Sequence, residues 1–115
     1  MSLYASLVIF VTMTAVEAIA QPTRRRILDL LRERERPVGE LVDLLGVSQP
    51  AVSKHLRVLR QVDLVGVRAD AQRRLYRVRP EPLEELDAWL APYRRMWSTS
   101  LDALERHLDE GNGTT

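Results

Sequence analysis

The chain contains no cysteine, which excludes disulfides and thiolate metal sites and fits a reducing compartment; a cytoplasmic location is therefore expected. Histidine is almost as scarce. His55 and His107 stand alone, and two isolated histidines do not make a zinc site. Also lacking are a Gly-rich phosphate loop, a nucleophile–base pair and a clustered ligand set, so neither enzymatic activity nor a cofactor is expected. There is no long apolar run either. The longest, residues 1–12 continued to Val16, is too short to span a bilayer and lacks the positively charged start of a secretory signal. No membrane partner is expected. Residues 1–12 then read in two ways: an extra N-terminal helix covering apolar surface, or sequence upstream of a natural start at Met13. With 115 residues, the chain is the size of one domain, small for a catalytic cleft.

What is present is a sharply uneven charge. The net charge is only +1, yet residues 21–80 hold fourteen Lys/Arg against seven Asp/Glu, and residues 81–115 hold three against eight. A basic body with an acidic end is the asymmetry expected when one part of a protein meets phosphate and another does not.

The most informative stretch is Leu41 to Gln61. At 3.6 residues per turn it reads as two short amphipathic helices broken at Gly46-Val47. Gly46 suits the left-handed residue that ends a helix, Ser48 offers an N-cap, and Pro50 sits in the next first turn, where its missing N–H costs little. On a helical wheel Gln49, Pro50, Ser53, Lys54, Arg57, Arg60 and Gln61 fill one arc. Ala51, Val52, His55, Leu56, Val58 and Leu59 fill the other. The outer arc holds no acidic residue. A solvated surface helix would look similar, but the turn, the cap and the absence of acid favour a recognition helix sized for a major groove. His55, on the inner arc, reads as a packed core residue.

The flanks supply the rest. Residues 14–20 suggest a short helix with Ala15, Val16 and Ile19 inward. Pro22 opens a helix from Thr23 to about Arg34, with Ile27, Leu30 and Leu31 facing the core. Arg24, Arg25 and Arg26 crowd its first turn against the macrodipole, which suggests a functional surface or plain solvated charge. Gly39 to Leu45 forms the first helix of the central pair. Asp63 occupies a place where a left-handed residue is wanted, which Asp tolerates. Residues 64–78 alternate as a β-hairpin, with Arg73 and Arg74 suited to phosphate or minor-groove contact. Its tip, Ala69 to Gln72, lacks Gly, so a loop longer than two residues is expected. From Pro82 apolar residues recur at spacings of three and four: Leu83, Leu86, Leu90, Tyr93, Trp97, Leu101, Leu104 and Leu108. Such a seam needs a partner surface, either a second copy or the chain's own domain. Pro92 should kink or split this helix near Ala88 to Pro92, and Glu110 to Thr115 reads as a frayed tail.

These features resemble the ArsR-type winged helix-turn-helix transcriptional regulators. The likeness rests on Pro22 to Leu28, Val38 to Leu41, Ser48 to Leu59 and the Arg73-Arg74-Leu75-Tyr76 strand, and covers about residues 13–109. It implies a mainly α fold with a small β-hairpin: a 1–12 extension, a winged helix-turn-helix over 13–80, a dimerisation helix over 81–109 and a tail over 110–115. It further implies a homodimeric repressor on a palindromic operator in double-stranded DNA. Ser48, Gln49, Pro50, Ser53, Lys54, Arg57, Arg73 and Arg74 would meet DNA; Leu86, Leu90, Tyr93, Trp97, Leu101, Leu104 and Leu108 would form the dimer interface. Three positions depart from the family pattern: Gln21 replaces a capping Asp, and Asp63 and Ala71 each replace Gly. The cysteine pair or spaced Asp and His ligands of metal-sensing members are missing, which places the chain in a branch without a metal site. Trp89, Tyr93 and Trp97 offer room for a small-molecule effector, though aromatics at helical spacing more often serve as interface core. The competing function is a protein–protein interaction module on the same scaffold; charge reversal at Lys54 and Arg57 separates the two.

Overall fold

A computed structural model describes residues 14–112. Their order is α1 (residues 14–19), α2 (Pro22–Glu33), α3 (Val38–Leu45), α4 (Gln49–Gln61), β1 (Val65–Asp70), β2 (Arg73–Val78) and α5 (Glu81–Asn112). This is the expected architecture, a winged helix-turn-helix followed by a long terminal helix. The apolar extension over 1–12 and the last three residues lie outside the described part.

Helix α1 turns inward on Ala15 and Ala18, both buried, whereas Val16 is 42% exposed and Ile19 half-buried. The expected inward Val16 is thus corrected: Ala15 and Ala18, three apart, share a face that Val16 does not. Helix α2 begins at Pro22 because Gln21 caps it, its Oε1 accepting from the Arg24 N–H at 2.8 Å. The departure from a capping Asp is therefore made good. The crowded cations of the first turn are also accounted for. Arg24 Nε donates to the Ala18 carbonyl at 2.6 Å and Arg25 Nη1 to the Ile19 carbonyl at 2.8 Å. Both cations satisfy carbonyls at the end of α1, where a helix dipole welcomes positive charge. Two of the three arginines thus join helices, and only Arg26 keeps the simple exposed character.

Gly46 ends α3 with φ 66° and donates its N–H to the Val42 carbonyl at 3.0 Å. Ser48 Oγ accepts from the Ala51 N–H at 3.4 Å, and Pro50 falls in the first turn of α4. Around this turn Ile27, Leu41, Val52, Leu56, Leu59 and Leu64 are fully buried, so the inner face of α4 is the centre of the core. Each such side chain contributes about 1.5–3 kcal/mol of burial.

β1 and β2 pair antiparallel from Val65↔Val78 to Asp70↔Arg73, leaving only Ala71 and Gln72 as the turn. The expectation of a longer loop is therefore wrong. Ala71 takes φ 56°, so an alanine sits where a tight turn prefers glycine, and the ladder offsets the cost. Asp63 likewise adopts φ 59°, as its position demanded.

Arg36 supplies the link the sequence reading lacked. Its backbone pairs with Tyr76 on the outer side of β2, through N–H···O contacts of 3.1 and 2.9 Å. Its side chain is buried, donating to the Leu30 carbonyl (3.0 Å), Glu40 (2.6 Å) and Glu33 (2.7 Å). One residue thereby ties α2, α3 and the hairpin together.

The first turn of α5 belongs to this body: Pro82 is buried and Leu83 packs on the core. The helix then leaves. It runs unbroken through Pro92, so it is not split there, and it continues to Asn112, past the expected end at residue 109. Its length gives the described chain extents of 65 × 45 × 21 Å.

Candidate nucleic-acid interface

The predicted outer arc of α4 is the outer face. Gln49, Pro50, Lys54, Arg57, Arg60 and Gln61 are exposed and Ser53 half-buried, while Val52, Leu56 and Leu59 are buried beneath them. The same alternation that builds the core therefore aims the polar stripe away from it. Among the described residues neither Lys54, Arg57 nor Arg60 takes part in an ion pair. Their charge is available to an external anion. Ser48 is exposed, but its hydroxyl is engaged in the cap.

At the wing, Arg73 and Arg74 flank the tip and are exposed; Arg73 Nη2 lies 3.5 Å from Asp70 Oδ2, its own cross-strand partner. Arg68 is a wing residue the sequence reading passed over. Its Nε meets Glu35 Oε2 at 2.7 Å, anchoring β1 to the segment before α3. Only the distant partner, invisible to local patterning, distinguishes this arginine from its neighbours. Arg77 and Arg79 were also passed over; both are exposed beside Arg60 at the base of the hairpin.

His55 lies on the inner arc, half-buried, and its Nδ1 is buried without a hydrogen-bond partner among the described residues. Burial, aided by the charges of Arg24 and Lys54, lowers its pKa below the usual histidine value. The ring is neutral at pH 7 and part of the packing, not of the cationic stripe. His107 lies on an exposed stretch of α5, and among the described residues no three His, Asp or Glu side chains gather as a metal site would need.

The α5 residues expected at an interface are poorly covered by their own domain. Leu86 and Leu90 are half-buried; Tyr93, Trp97, Leu101, Leu104 and Leu108 are exposed, Leu101 by 60%. Trp89 lies next to Tyr93, ring centroids 5.0 Å apart and tilted by 39°. No described helix is long and apolar enough to cross a membrane.

The model of the bacterial regulatory proteins of the arsR family matches residues 21–67, which span α2 to β1. The chain is 40% identical over 101 residues to the HTH-type transcriptional regulator Rv2034 of Mycobacterium tuberculosis, covering 87% of this chain and 92% of that one. It is 31% identical to the transcriptional repressor SdpR of Bacillus subtilis over 64% of this chain and 82% of the relative. Among solved structures, an ArsR-like transcriptional regulator from Rhodococcus sp. RHA1 superposes with a TM-score of 0.68 at 25% identity, covering 84% of this chain and 91% of the other.

Proposed function

The chain belongs to the ArsR family of bacterial transcriptional regulators, and we propose that it acts as a homodimeric repressor on a palindromic operator. The observation that carries this reading is the exposed, acid-free stripe of α4. Gln49 can pair bidentately with adenine, and Lys54 or Arg57 with guanine, while Ser53 reaches bases or flanking phosphates. The capped turn at Gly46–Ser48 and the buried inner face of α4 fix the direction in which the stripe faces outward. Arg73 and Arg74 then serve the wing as phosphate or minor-groove contacts. The uncovered apolar seam of α5 supports pairing with a second copy, which sets two α4 helices one duplex turn apart, ~34 Å. Repression follows from occupancy of a promoter.

Selection of bound sequences from a random duplex pool tests the whole arrangement. The expected product is an inverted repeat whose half-sites are spaced by a helical turn. Enrichment of a single half-site, or of nothing at low salt, overturns it. On the selected site, Arg73→Ala should flatten the log–log dependence of affinity on salt by about 0.9.

A further inference from the structure

Arg60 belongs to two surfaces at once. On the helical wheel it lies within about 20° of Gln49, at the far end of the stripe proposed to read DNA. It also lines a polar notch between the end of α4 and the base of the hairpin, opposite Arg77 and Arg79. Gly66, the cross-strand partner of Arg77, forms part of its floor. A Cβ on Gly66 would stand 3.1 Å from Arg79 Cδ and 3.3 Å from Arg77 Nε, so both arms lie close across β1 and would have to give by a few tenths of an ångström if a side chain were added.

The notch is thus lined by three arginines and a single carboxylate. Asp63 lies 3.8 Å from Arg79 Nη1, and both side chains are well exposed, 73% and 47%. Neither Arg60 nor Arg77 has an acidic partner among the described residues. An arginine without an acidic partner is suited to donate two parallel hydrogen bonds to a phosphate group. The notch is continuous with the α4 stripe through Arg60, while the wing tip is roughly 17 Å away along the six-residue β1.

We infer that Arg60, Arg77 and Arg79 form a phosphate clamp for the same duplex, gripping the backbone between the base-reading stripe and the wing tip. This rests on the DNA-binding reading and adds to it a contact that carries no sequence information. Asp63 acts as a partial counterweight, weakening the grip of Arg79 and so limiting non-specific affinity.

Salt-dependent binding of the full-length protein to its selected operator and to an unrelated duplex provides the test. Arg77→Gln and Arg60→Gln should each flatten the log–log slope by about 0.9 on both duplexes, and Arg77→Lys should restore most of it. Asp63→Asn, which keeps a residue tolerant of the left-handed backbone, should tighten binding to both several-fold. Thermal melting confirms that each variant is folded. Slopes unchanged in Arg60→Gln and Arg77→Gln overturn the clamp while leaving the DNA-binding reading intact; a wild-type protein that binds no duplex removes the reading itself. Should pyrophosphate stabilise the wild type but not Arg77→Gln against heat, with DNA slopes unaltered, the notch holds a free anion and the clamp is again overturned.

Discussion

His55 shows how one partly buried side chain can make folding depend on pH. Its folded pKa lies below 6.5, chiefly through burial, with Arg24 and Lys54 adding repulsion. As pH falls through 6.5 the unfolded chain takes up a proton that the folded chain resists. The stability from keeping this ring neutral is thus complete above pH 6.5 and is lost as pH falls toward the folded pKa. Glu40 acts at lower pH. Burial pushes its carboxyl up, but the hydrogen bonds and charges of Arg36 and Arg34 more than reverse this, leaving it below 4.5; its contribution is therefore lost only in acid beneath that value. Urea midpoints measured from pH 7.5 to 5 should decline in the wild type and stay flatter in His55→Gln. Equal slopes in the two proteins would show that the ring is not the source. Residue type indicated that His55 was packed. The Arg24 beside it comes from α2, thirty-one residues earlier in the chain and distant in any local pattern.

Each element is held by its ends as much as by its face. α2 is capped by a glutamine, α1 by arginines reaching back from α2, and α3 by a left-handed glycine. In the hairpin the weak point is Ala71, whose φ of 56° at the first central position of a two-residue turn costs an alanine roughly 1–2 kcal/mol. Ala71→Gly removes that strain and returns part of the gain as unfolded-chain entropy, for a net stabilisation of about 0.5–1 kcal/mol. Equilibrium denaturation decides this, and a destabilised variant would mean the turn is held by something other than backbone strain. The hairpin itself was readable from its period of two. Its tight turn was not, because a left-handed alanine is a choice imposed by the strand register on either side.

At the scale of the molecule, the described chain is a small packed body carrying a 32-residue helix that mostly touches nothing of its own. A row of exposed Trp, Tyr and Leu of this length is the kind of apolar surface that marks an interaction site. Under the proposed pairing of two copies, Leu104→Glu should convert dimer to monomer, raising the dissociation constant at least 100-fold, or about 2.7 kcal/mol. Operator affinity should fall with it, while the far-ultraviolet spectrum of the winged domain persists. Sedimentation across a concentration series reads the first effect; a wild type that sediments as monomer throughout would refute the pairing.

The periodicity and capping chemistry of Leu41–Gln61 were enough to predict α3, α4 and the polarity of the α4 stripe, because helices and their turns depend on neighbours within a few residues. The same holds for the terminal seam. What only the tertiary structure decided lies between elements: Arg36 joining α2, α3 and β2, Arg68 reaching Glu35, the arginines of α2 spent on α1, and Arg60 brought beside Arg77 and Arg79. Arginine has the same appearance at each of these places in a linear chain. Its role is set by which carboxylate, carbonyl or open surface the fold brings within reach of its long side chain.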